Sequence, residues 1–223
     1  MDLVKSYDFF RPEMCTERVH IIGCGSVGST VAENLARYGI TKMTLYDFDI
    51  VEPKNIVNQM FTEEDIHKEK VDAVAEMLVK INPEIANDLK IMRKGYTGQK
   101  LSGYVFLCVD NIDLRREIAT AYKGNPYVKA MFDFRTRLTD AQHYAADWSN
   151  EKMVDDFINS MQFSHDEATE ATPMSACHVT LSVCSTIRLI VGYGVTNFIN
   201  FVKDGEIKKL ILVDAFNFQL DAF

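Results

Sequence analysis

Three glycines and one acid are the residues of this chain best suited to hold a charged ligand. Gly23, Gly25 and Gly28 stand in GCGSVG at G-x-G-x-x-G spacing, directly after the short apolar run of residues 19–22. Glycine lets the backbone approach a bulky anion, and a helix starting at Ser26 would aim unpaired N–H groups and a partial positive charge at it. The anion that suits such a turn is phosphate. Asp47 follows at roughly the 20-residue interval at which an acid accepts from the ribose hydroxyls of a nucleotide. The competing reading is a packing turn in an ordinary α/β domain.

The elements that must position these groups are legible from periodicity. Val27, Val31, Leu35 and Tyr38 lie at helical spacing, with Gly39 as a stop, and residues 43–46 form a second strand ending at Asp47. The polar, proline-containing stretch 50–65 reads as a loop over the carboxyl edge of the sheet, where ligands bind in open α/β folds. Residues 66–81 carry Val71, Val74, Ala75, Leu78 and Ile81 on one helical face, stopped by Asn82 and Pro83. A short strand is expected at 89–92. The wholly apolar run 104–109 reads as a buried parallel strand that delivers Asp110 and Asn111 to the same edge as Asp47. A helix over 113–122, strands over 127–134 and 138–146, a long apolar helix over 175–202 and strands near 207–213 and 216–220 complete the pattern. Residues 149–173 are acidic and polar and read as a mobile crossover segment, and residues 1–18 as an irregular arm. The expected fold class is α/β: one Rossmann-like domain over 1–223, its sheet mostly parallel with helices on both faces and extended by antiparallel strands in the C-terminal half.

Composition excludes several partners. The net charge of −8 argues against a broad nucleic-acid or anionic-membrane surface. A transmembrane reading of 175–202 is disfavoured by His178, Arg188, Asn197 and Asn200 within it. Residues 1–7 contain Asp2 and Lys5 and no apolar core, so no signal peptide is expected. Five cysteines without paired spacing suit a reducing, cytoplasmic setting.

Four blocks in order, GCGSVGS, YDFDIVEPKNIVNQ, EEDIHKEKVDA and CVDNIDLRR, resemble the ThiF/MoeB/HesA family of adenylyltransferases, which are related to ubiquitin-activating enzymes. The resemblance covers about the first 120 residues well. It implies ATP-dependent adenylation of a carboxylate, usually the C-terminus of a small ubiquitin-fold or sulfur-carrier protein or a peptide, with release of pyrophosphate. It further implies that Gly23, Gly25, Ser26 and Gly28 line a phosphate loop and that Asp47 accepts from the ribose. Asn55, Asn58 and Gln59 then contact ATP, Lys70 places an ammonium on the α-phosphate, and Asp110 holds Mg²⁺. Asp49 is either a site residue or a turn cap. Asn111 and Arg115 complete D-N-x-x-x-R, with Arg115 either touching ligand or bridging to a neighbouring acid. A homodimer is implied, in which Arg11 could reach across to a partner's site.

The chain departs from that family at three points. Asn58 stands where an arginine usually precedes the glutamine, replacing a charge with a neutral amide. No C-x-x-C pair is present, so no structural zinc is expected. Cys177 is the cysteine nearest the position of a covalent thioester or acyl-disulfide residue; the alternative is a small core residue, since Cys184 follows two helical turns on. Two other functions stay open on the residues: a nicotinamide-dependent oxidoreductase, suggested by the glycine loop and Asp47 alone, and a non-catalytic scaffold binding a ubiquitin-like partner, suggested by Asn58.

Overall fold

The computed structural model describes residues 1–170 and 181–223. In chain order β1 is Val19–Ile22, α1 Ser26–Arg37, β2 Met43–Tyr46, α2 Lys70–Ile81, β3 Lys90–Met92, β4 Gly103–Leu107 and α3 Ile112–Ala121. They are followed by β5 Val128–Thr136, β6 Asp140–Asp147, α4 Glu151–Asn159, α5 His165–Glu170, α6 Cys184–Asp204, β7 Leu210–Asp214 and β8 Gln219–Ala222. Among the described residues the eight strands make one sheet ordered β3-β2-β1-β4-β5-β6-β7-β8. The first five run parallel, and β6, β7 and β8 join antiparallel.

Register decides what reaches the carboxyl edge. Ile22 pairs with both Tyr46 and Leu107, and Leu107 pairs with Asp133. The glycine turn, Asp47 and Asp110 therefore leave the sheet at one level, beside the end of β5. Strand alternation sends Phe106 and Phe132 to the face covered by α1, α2 and α6, and Val105, Leu107 and Met131 to the face covered by α3 and α4. On the first face Phe106 and Phe132 stack at 4.9 Å, and Phe198 of α6 meets both edge-on at 5.3 and 5.5 Å.

Two expectations differ from the structure. The helix read over 66–81 starts only at Lys70, because the preceding residues are used in pairing: Val51 N–H donates to Lys68 O at 2.8 Å, and His67 sits at φ 74°, which no helix accepts. The described part of the acidic stretch 149–173, expected as a mobile crossover segment, is largely helical. Met153, Val154 and Phe157 bury one face of α4, the Asn150 side chain caps it by accepting from Met153 N–H at 3.1 Å, and Asp155 and Asp156 pair outward with Lys123 and Lys209. Ser164 and Glu167 form a reciprocal cap at the start of α5. The acidity that suggested mobility belongs to a solvated face.

The long C-terminal helix runs from Cys184 to Asp204, with Ile187, Ile190, Val191, Val195 and Phe198 in the core. Among the described residues no helix is long and apolar enough to cross a membrane. Residues 171–180, Cys177 among them, lie outside the described residues.

Candidate active site

The turn after β1 is built tightly on one side and open on the other. Gly23 has φ 95°, and a Cβ there would lie 2.8 Å from the backbone of Cys108. A Cβ on Gly28 would fall 1.8 Å from Gly23 O, so only glycine lets α1 pack against the turn. A Cβ on Gly25 would meet no atom of the described residues within 4 Å. The first two glycines serve packing; Gly25 and the adjoining N-terminus at Ser26 leave the space a phosphate group would enter.

Asp47 is tied into this turn. Cys24 N–H donates to its Oδ2 at 2.6 Å and Asp49 N–H to its Oδ1 at 2.9 Å. Burial raises the Asp47 pKa above the usual carboxylate value, while these two N–H donors and Lys70 oppose the rise. Cys24 is fully buried, and burial holds its thiol well above the ordinary range, as it does for Cys108. Both are neutral packing residues.

Lys70 opens α2 and is almost wholly buried, with its Nζ 2.7 Å from Asp49 Oδ2 and its N–H donating to Asp49 O at 2.9 Å. The 3₁₀ turn Pro53–Asn55 is held by a capping box in which Asn55 Oδ1 accepts from Glu52 N–H at 2.8 Å. Gln59 N–H then donates to Asn55 O at 2.9 Å. Gln59 Oε1 is buried without a hydrogen-bond partner among the described residues, an expensive state for an acceptor unless a donor arrives with a ligand. Asn58 beside it is half-buried.

Ser29, which sequence reasoning passed over, joins this loop to the glycine turn. Its hydroxyl donates to Gly25 O at 2.7 Å and accepts from Met60 N–H at 3.2 Å. Phe48 was also missed; its ring is 72% exposed between the two acids, and Gly95 lies against it. A serine one residue past a glycine motif carries no sequence signal of such a bridge.

At the end of β4 the D-N-x-x-x-R residues divide the work. Asn111, not Asp110, caps α3, accepting from Leu114 N–H at 3.0 Å. The Asp110 side chain is exposed and has no hydrogen-bond partner among the described residues, which leaves both oxygens available to a cation. Arg115 is a bridge: its guanidinium donates to Val109 O, to Asp133 Oδ1 at 2.8 Å and to Phe134 O at 2.6 Å. Asp133 is completely buried and is also paired with Arg135 Nε at 2.7 Å.

Arg11 is not brought to the cradle within this chain. It stacks on Tyr7 in the N-terminal arm, where the next residue, Pro12, lies against Gly39 at the far end of α1. A twelve-residue helix separates the two ends by about 18 Å. Clefts of about 940 and 720 Å³ also lie at this opposite edge, and none of the described sequence-predicted site residues lines them.

The fold and the glycine cradle define a Rossmann-like α/β protein with its polar residues gathered at the carboxyl edge of the sheet. The chain belongs to the ThiF family, whose model matches residues 13–222. It is 34% identical over 137 residues to ubiquitin-like modifier-activating enzyme 5 of Bombyx mori, covering 54% of this chain and 34% of that protein. The same enzyme of Drosophila mojavensis is 32% identical over 141 residues, covering 56% and 34%. The matched stretch thus spans about a third of the length of these relatives. Among solved structures, Escherichia coli MccB crystallised with ATP superposes with a TM-score of 0.72 at 16% identity, over 95% of this chain and 65% of that one. PaaA superposes with a TM-score of 0.75 at 15% identity, over 95% and 74%.

Proposed function

We propose that this protein is an ATP-dependent adenylyltransferase that activates the C-terminal carboxylate of a small ubiquitin-like or sulfur-carrier protein, or of a peptide, and releases pyrophosphate. The observation that carries the reading is the single hydrogen-bonded chain from the glycine turn through Asp47 and Asp49 to the buried ammonium of Lys70. Membership of the ThiF family supports it, as do relatives named for activating a ubiquitin-like modifier and the MccB structures with ATP and with MccA.

The residues fit the substrate. Gly25, beside the helix N-terminus at Ser26, has open space among the described residues, Asp47 would accept from ribose hydroxyls, and Gln59 Oε1, unpartnered among the described residues, would take a donor from the ligand. In the reaction the acceptor carboxylate attacks the α-phosphorus, and the bond to the departing pyrophosphate oxygen breaks. Lys70 would hold positive charge where negative charge accumulates on the α-phosphate, and Asn55 and Gln59 would hold the nucleotide in line. Among the described residues no cluster of three His, Cys, Asp or Glu side chains could hold an ion alone. A single carboxylate at Asp110 suits Mg²⁺ that is completed by phosphate oxygens, and the ion would supply charge stabilisation to the leaving group. Asn58 cannot supply the cation that an arginine would.

The same reading includes a homodimer and a cytoplasmic setting; the four cysteines among the described residues are free thiols. ATP–pyrophosphate exchange measured with candidate carrier proteins tests the proposal, with exchange expected in the wild type and lost in Lys70→Ala and Asp110→Ala. Exchange indifferent to both substitutions would overturn the site. ATP binding without exchange with any carrier would favour a scaffold, the outcome to which Asn58 points.

A further inference from the structure

The first residue of α2 is an unfavourable place for a buried ammonium. Lys70 has a side chain only 9% exposed, and it stands at the positive end of a helix dipole, so burial and dipole both work against its charge. Side chains in the first turn lean back toward the N-terminus, so the ammonium cannot escape along the helix. One group offsets this cost: Asp49, whose Oδ2 lies 2.7 Å from Nζ and whose own side chain is half in solvent. Among the described residues Asp49 is the only acceptor that Nζ touches, so two of the three ammonium N–H groups have no protein partner.

The backbone makes the pairing rigid. Lys70 N–H donates to Asp49 O, Ile50 and Glu69 form an antiparallel bridge, and Val51 N–H donates to Lys68 O. Asp49 N–H is itself anchored on Asp47 Oδ1. The loop that carries the ribose-accepting acid therefore also carries the counter-charge of the lysine.

We propose that Asp49 is a positioning residue: it does not bind the nucleotide but holds the Lys70 ammonium aimed, so that the two remaining N–H groups meet an α-phosphate. This deepens the adenylyltransferase reading and rests on it. The alternative is that Asp49 competes with phosphate for the ammonium, in which case removing its charge would tighten phosphate binding.

The test compares affinities for adenosine, AMP and ATP in the wild type, Asp49→Asn, Lys70→Gln and the double variant. The ratio of AMP to adenosine affinity isolates the α-phosphate. The expected result is a ratio about tenfold lower in Asp49→Asn, equally low in Lys70→Gln and no lower in the double variant, with adenosine affinity unchanged throughout. Asp49→Glu, which keeps the charge on a side chain already half in solvent, should keep the ratio within threefold of wild type. It also serves as the test if Asp49→Asn does not fold. A loss merely of packing would lower stability without moving the ratio. An unchanged or increased ratio in Asp49→Asn, losses that add in the double variant, or a Glu ratio no better than that of Asn would overturn the inference while ATP binding by the wild type upholds the parent reading. A wild type that binds none of the three ligands would overturn both.

Discussion

The amide of Cys24, in the middle of the glycine turn, donates to the carboxylate of Asp47 at 2.6 Å, so the acid at the end of β2 braces the turn at the end of β1. Asp47 therefore has a structural duty besides any ligand contact. Asp47→Ala should strand that buried N–H and cost about 1–3 kcal/mol of stability. It should also weaken adenosine and ATP by similar factors, because ribose is common to both. Chemical denaturation and calorimetric titration read the two effects separately, and a variant that loses ATP but keeps adenosine would contradict the ribose assignment.

Gly25 and Gly28 should respond in opposite ways to the same methyl group. Gly28→Ala drives a Cβ onto Gly23 O and should lower the melting temperature by several degrees. Gly25→Ala meets no atom of the described residues, so it should fold within about 1 kcal/mol of wild type yet bind ATP poorly. Melting curves with and without ATP distinguish them: the Gly25 variant should melt normally alone and lose the ATP-induced shift.

Asp133 lies wholly buried between Arg115 and Arg135, and its removal leaves two largely buried guanidinium groups short of their counter-charge. Asp133→Ala should cost about 3–5 kcal/mol. The loss should appear in unfolding midpoints before any nucleotide is added. A cost under 1 kcal/mol would mean the pair is dispensable.

His143 is buried and neutral. Its Nδ1–H donates to Asp133 O at 3.1 Å, and its Nε2 lies 3.3 Å from the Asn197 side-chain amide, which ties α6 to Lys208. Burial lowers its pKa to about 4, below the value near 6.5 of an exposed histidine. The unfolded chain therefore binds the extra proton between those two values. Stability contributed by the neutral ring is complete above pH 6.5 and lost as pH falls toward 4, by on the order of 3 kcal/mol. His143→Gln should show a shallower decline across that window than wild type, and parallel curves would refute the assignment.

Much of the sheet was legible because each strand advertises itself: the run 104–107 is apolar on both faces, and the acids that matter come directly after strand ends. The carboxyl-edge placement of Asp47 and Asp110 follows from that alone. What could not be read were relations between distant residues. Nothing in the spacing of Asp49 and Lys70 reveals that they touch, because the contact depends on an isolated antiparallel bridge of one residue pair, Ile50 and Glu69. Ser29 is invisible for the same reason. The helicity of α4 was obscured by composition, since the three apolar residues buried on one side are matched by three acids within the same nine residues.

The way the sheet finishes has its own consequence. After β5 the strand direction reverses, and the described residues end in β8, four residues exposed on both faces with their outer N–H and C=O groups unshared inside the sheet. Such a border invites a neighbouring backbone to add itself, and Phe216, Phe218 and Phe223 around it are sticky. Brevity and the charge of Asp221 are the guards present, so neutralising Asp221 should make concentrated samples precipitate sooner while leaving the glycine turn, at a different border of the molecule, untouched.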